Sequence, residues 1–120
     1  MLSRLALLML VALCCGSAFA ADRQEAEVAL AQAETAVQSA VSADAASAAP
    51  IDLRSAEDNL VAARGAMERR KWTDSAMSSE KAKADADLAA ARSREKRATA
   101  ATAEIEASVE TLRREVGRGG

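Results

Sequence analysis

Apolar positions in this chain fall into three stretches of helical spacing, separated by two short breaks. From Asp22 to Ala48 nothing interrupts a helix, and Ala, Glu and Gln, which are strong intrinsic formers, dominate. Leu30, Ala33, Val37, Val41 and Ala45 recur on one face. Pro50 lacks a backbone donor and clashes with a preceding turn, so it ends or kinks that helix. A second helix is expected over 51–70. There Leu53, Ala56, Leu60, Ala63 and Met67 step by heptad spacing, with Gly65 as a weak point. Trp72-Thr73-Asp74-Ser75 reads as a turn, with Thr73 or Asp74 able to cap the next helix. A third helix is expected over 73–116. Its repeat is Met77, Ala84, Ala91, Ala98, Ile105 and Leu112, accompanied by Lys81, Leu88, Glu95, Thr102, Val109 and Val116. Gly117 to Gly120 reads as a cap and a disordered tail.

Lengths then suggest an architecture. At 1.5 Å per residue the third helix spans roughly 65 Å, the second about 30 Å and the first about 40 Å. The first two, end to end, match the third. The pattern therefore predicts an all-α fold: a long antiparallel helical hairpin, coiled-coil-like, with one arm broken at Pro50 and Trp72 at the tip. This pairing sets Met67 near Ala76 and Leu60 near Lys83 and Ala84. It also sets Val37 and Val41 near Thr102 and Ile105, and Leu30 near Leu112. The second arrangement is a three-helix bundle with the first helix folded back beside the second, which leaves Ile105 to Val116 unpaired.

The start of the chain changes the picture. Met1-Leu2-Ser3-Arg4 is a short positive segment, Leu5 to Leu13 is an unbroken apolar run, and Ala18-Phe19-Ala20 is an A-x-A site. This is the layout of a secretory signal peptide over 1–20, cut after Ala20. The expected location is the periplasm. An outer-membrane lipoprotein fits less well, because Leu13 and Cys14 precede Cys15, and Ala12 and Leu13 precede Cys14, so neither cysteine has a small residue immediately upstream.

Cleavage also removes chemistry. Both cysteines and the one Phe lie in the leader, leaving 21–116 as an alanine-rich helical domain with no Cys, His or Tyr and with Trp72 as its one aromatic. No nucleophile–base pair, metal ligand set or cofactor motif stands out, so the expectation is a non-enzyme with no cofactor. The hydrophobic fraction of 50% is mostly alanine, which points to a narrow seam and not a broad core. The net charge of -2 gives no basic field for nucleic acid, and no small-molecule substrate is evident.

The cluster Arg69, Arg70, Lys71 and Trp72 is the candidate interaction tip. It suits an envelope protein, anionic lipid or lipopolysaccharide, or it closes the hairpin as a solvated turn whose cations face the helix carbonyls. The basic run Arg92 to Arg97 reads as a partner for the acidic first helix, and Asp85 and Asp87 read as solvated. The alanine-rich seam also suits a homo-oligomer.

Ala49-Pro50 with Leu53, Ala56, Leu60 and Ala63, then Trp72 with Ala76, then Lys81-Ala82, Ala84-Asp85 and Leu88, resembles domain-of-unknown-function family 4398. The resemblance implies a small exported bacterial envelope protein or lipoprotein with a helical hairpin. Some members carry an OmpA-like peptidoglycan-binding domain, which this chain lacks, and the family supplies no catalytic residues. The hairpin is also similar to one tetratricopeptide-type unit, without the further copies a solenoid needs.

Overall fold

The computed structural model describes the helices from Leu2 and the side chains from Asp22 to Gly120. The expected leader, with Cys14 and Cys15, lies outside the described side chains. The fold is all-α: α1 (Leu2–Ser42), α2 (Ala45–Ala48), α3 (Pro50–Glu68) and α4 (Trp72–Gly119). The α3–α4 pair is the expected antiparallel hairpin, closing just before Trp72.

The course of α1 is not the expected one. It does not continue the line of α3 but folds back beside it, so that the three-helix arrangement is the one adopted. Three contacts fix this. Glu34 of α1 pairs with Arg64 of α3 at 2.8 Å. The Arg23 guanidinium stands 5.7 Å from the centre of the Trp72 ring. The Ser93 hydroxyl of α4 donates to the Ala43 carbonyl at the far end of α1. Helix α1 thus runs parallel to α4 and antiparallel to α3. Leu30 packs near the Trp72 end and not against Leu112, and Val37 joins the core without meeting Ile105.

The cause is the break before Pro50. Helix α1 stops at Ser42, and Asp44 adopts a left-handed conformation (φ 63°), which short polar side chains tolerate best among non-glycines. One turn of helix follows, then Ala49 in an extended-side conformation, then Pro50 at the first position of α3. Proline is favoured there, because its missing donor would have had no partner and its fixed φ suits a helix start. Pro50 therefore opens α3, and the reversal lies at 43–49.

Alanine makes up most of the core. Leu53, Ala56, Leu60 and Ala63 of α3 are buried as the heptad reading expects, with Ala66 in place of Met67. In α1 the buried line is Ala26, Ala33, Ala36, Val37 and Ala40, while Val41 points outward. In α4 it is Ser75, Ser79, Ala82, Ala86, Ala89, Ala90 and Ser93. The expected α4 seam is displaced altogether, since Met77, Leu88, Ile105, Val109, Leu112 and Val116 are all exposed. Small side chains let three backbones approach closely, and two serines measure that closeness. Ser75 Oγ donates to the Ala63 carbonyl at 2.9 Å, and Ser93 Oγ reaches Ala43. A two-atom side chain spans these gaps only where helices nearly touch.

Polar pairs on the rim set the register. Arg92 meets Asp52 at 2.5 Å. Asp85 accepts from Ser55 (2.7 Å) and Asn59 (3.0 Å), so it ties α3 to α4 and is not the solvated acid the sequence suggested. Beyond Ser93, α4 leaves the bundle, and every residue from Arg94 to Gly120 is exposed. This arm of 26 residues to Gly119 extends about 39 Å. The expected tail joins it, because α4 continues to Gly119.

Candidate functional site

The turn between α3 and α4 is built by the chain's own backbone. Arg69 caps α3, the Arg70 amide donates to the Met67 carbonyl (3.0 Å), and the Lys71 amide donates to the Ala66 carbonyl (2.9 Å). These two bonds form a Schellman closure, which places Arg70 in the left-handed region at φ 58°. Glycine is the residue best suited to that position, and an arginine there costs backbone energy of about 1 kcal/mol. Helix α4 begins at Trp72, with Lys71 preceding it and no side-chain cap, so neither Thr73 nor Asp74 has the capping role the sequence offered.

Arg69, Arg70, Lys71 and Trp72 therefore stand together at one end of the bundle, with the first three exposed and Trp72 half-buried. The middle of α1 adds Arg23, a residue the sequence reading missed, because adjacency across helices leaves no local signal. Arg23 lies over the Trp72 face and is held by Glu27 at 2.8 Å. An open groove of about 420 Å³ runs between α1 and α3, lined by Arg23, Glu27, Leu30, Met67, Arg70 and Trp72. Its charges are mixed: Glu34 and Glu68 also face it, and Asp22 and Thr73 line an adjoining groove. Gly65 leaves room for Arg69, whose guanidinium would lie 3.4 Å from a Cβ there.

The Arg92–Arg97 run does not face α1 as a block. Arg92 is bound by Asp52 of α3 and Ser93 is buried, while Arg94, Lys96 and Arg97 are exposed on the arm and make no ion pair among the described residues. Among the described residues no three metal-ligating side chains converge, and no helix is long and apolar enough to cross a membrane.

A family model described as a domain of unknown function, DUF4398, matches residues 28–105. The chain belongs to this family. The match takes in most of the packed part of α1, all of α2 and α3, and α4 as far as Ile105, so it covers most of the bundle and the root of the arm. No curated protein and no solved structure matches the chain.

Proposed function

We propose that this DUF4398 chain is an exported, non-enzymatic scaffold or adaptor of the bacterial cell envelope, working through protein–protein contact. The observation that carries the reading is the exposed α4 arm. A helix of this length projects from a small bundle with Ile105, Val109, Leu112 and Val116 uncovered, which suits presentation to a partner. The grooves are open and mixed in charge, which suits surface contact better than enclosure of a substrate. Export draws support from the leader pattern. Cleavage after Ala20 would remove the apolar run and keep Asp22 and Arg23, which stand beside Trp72, and Ala26, which is buried.

Two measurements test the proposal. The intact mass of the chain recovered from the periplasm should begin at Ala21, whereas a lipid-bearing mass starting at Cys14 or Cys15 would replace this with the lipoprotein reading. A photo-crosslinking amino acid at Arg70, irradiated in living cells, should capture one defined envelope protein. Retention of the chain in the cytoplasm would refute the proposal.

A second reading has its own support. Arg70 occupies a conformation that glycine fits better, and Arg23, Arg69, Lys71 and Trp72 gather beside it. This arrangement suits a peripheral binder of anionic lipid or lipopolysaccharide, although Asp22, Glu27, Glu68 and Asp74 nearby weaken the field. Unchanged Trp72 emission with anionic vesicles at low salt would remove it.

A further inference from the structure

Helix α4 carries two heptad stripes. The inner one, Ser75, Ser79, Ala82, Ala86, Ala89 and Ser93, packs on α1 and α3. The outer one is offset by two residues, hence by about 200° around the helix, and faces away from the bundle. Within the bundle it includes Met77 and Leu88, both exposed. On the arm it becomes uniform: Ala98, Thr102, Ile105, Val109, Leu112 and Val116, with Ile105 63%, Leu112 59% and Val116 76% exposed. Scattered surface aliphatics need no explanation, but a row held at a 3.5-residue period is the pattern by which helices pair.

We propose that the outer stripe over residues 98–116 joins two copies of this chain in a parallel, two-stranded coiled coil. Several features select a second copy as the occupant. Thr102, Val109 and Val116 fall at a positions and Leu112 at a d position, and β-branched a residues with leucine at d favour two parallel strands. Ala98 and Ile105 are the two d positions that depart from leucine. The Thr102 hydroxyl already donates to the Ala98 carbonyl at 3.0 Å, so it enters the seam without an orphaned donor. The Glu110–Arg114 pair lies on the far side of the helix, clear of the seam.

Flanking charges set the direction. In parallel register the g-to-e′ neighbours are Ala101 with Glu106, and Ser108 with Arg113, so no like charges meet. An antiparallel pair centred on the arm sets Glu106 against Glu106. Glu95, at the next a position, ends the seam where the bundle begins. From Ala98 to Gly119 the seam region holds Glu104, Glu106, Glu110 and Glu115 against Arg113, Arg114 and Arg118, a near-neutral balance that a second copy meets without strong repulsion. This inference draws on the same uncovered stripe as the adaptor reading, and experiment separates them: the mass of the purified chain reports on a second copy, whereas capture in cells reports on another protein.

The test uses the chain expressed from its full-length sequence, with Cys14 and Cys15 replaced by Ser. Light scattering over a wide concentration range should give the mass of two chains. Leu112→Glu should reduce it to one chain while leaving the thermal unfolding of the bundle intact, since Leu112 touches nothing in its own bundle. Val61→Glu, at an exposed site on α3, should leave the dimer unchanged. Val116→Cys should oxidise readily to a disulfide-linked dimer. In an antiparallel pair the two sulfurs would lie about 27 Å apart along the axis. A single-chain mass throughout, a three-chain mass, or a dimer that survives Leu112→Glu would each overturn the proposal. Loss of the dimer in Leu112→Glu without crosslinking through Val116→Cys would overturn the parallel arrangement.

Discussion

Ser75 and Ser79 occupy successive positions of the same buried stripe, and both are 0% exposed. Their hydroxyls differ in one respect: Ser75 donates to the Ala63 carbonyl, whereas Ser79 Oγ has no partner among the described residues. Replacing each with alanine should therefore shift stability in opposite directions. Ser75→Ala removes a buried hydrogen bond worth about 1 kcal/mol. The Ala63 carbonyl loses only an added donor, so no large penalty arises there. Ser79→Ala removes an unsatisfied hydroxyl whose burial costs about 1–2 kcal/mol. Both gain up to about 0.5 kcal/mol from the better helix propensity of alanine, and this cancels in the comparison. The net expectation is a loss near 0.5 kcal/mol for Ser75→Ala and a gain of about 1.5–2.5 kcal/mol for Ser79→Ala. For a domain of this size the variants should melt roughly 8–24 °C apart. The assay is thermal unfolding by circular dichroism at one fixed protein concentration, because self-association would make the midpoint concentration-dependent. Equal shifts of the same sign would refute the reasoning: the two hydroxyls would then be equally satisfied or equally wet, and the close helix contact at Ala63 would be wrong.

The packing sets three further outcomes. Arg70→Gly relieves a left-handed arginine and should raise stability by about 1 kcal/mol; in vesicle binding the same variant should weaken any attachment through the tip, so the melt and the binding assay move in opposite senses. Asp85→Ala removes the acceptor shared by Ser55 and Asn59 and should cost about 1–2 kcal/mol, whereas Asp87→Ala, which breaks only the surface pair with Lys83, should stay within about 0.5 kcal/mol in urea unfolding. Leu60→Ala empties one of the few large core positions and should cost about 2–4 kcal/mol, while Val61→Ala at its exposed neighbour should leave the urea midpoint nearly unchanged.

The contrast between Leu60 and Leu112 shows where the amino-acid pattern is legible and where it is not. The helical class, the α3 seam and the hairpin at Trp72 follow from periodicity, because Leu53 and Leu60 are large and recur among polar residues. The direction of α1 does not follow, since it depends on a left-handed Asp44 and on Pro50 standing inside the start of a helix, and proline marks a boundary without saying which way the chain turns. The α4 core was hidden for a different reason. Alanine and serine are compatible with burial and with exposure alike, so the stripe from Ser75 to Ser93 carries almost no hydropathy signal. The large residues Leu88, Ile105 and Leu112 carry a strong one and lie outside.

That inversion has a physical basis. Where three backbones must touch, a leucine would hold them apart; only side chains of one or two heavy atoms fit, and the helices then gain from dispersion across closely matched surfaces. The large aliphatics are consequently excluded from the α4 interior by the same packing that makes the bundle. Their regular spacing on the outer face is not used by the core of the bundle. Exposed leucine and isoleucine at a 3.5-residue period do nothing for a monomer, and a helix made only to be long would be better served there by Glu, Lys and Ala. The proposed pairing of two copies gives the arm's apolar stripe a role that packing within the bundle does not, and on that proposal the most visible part of the hydrophobic pattern serves association and not folding.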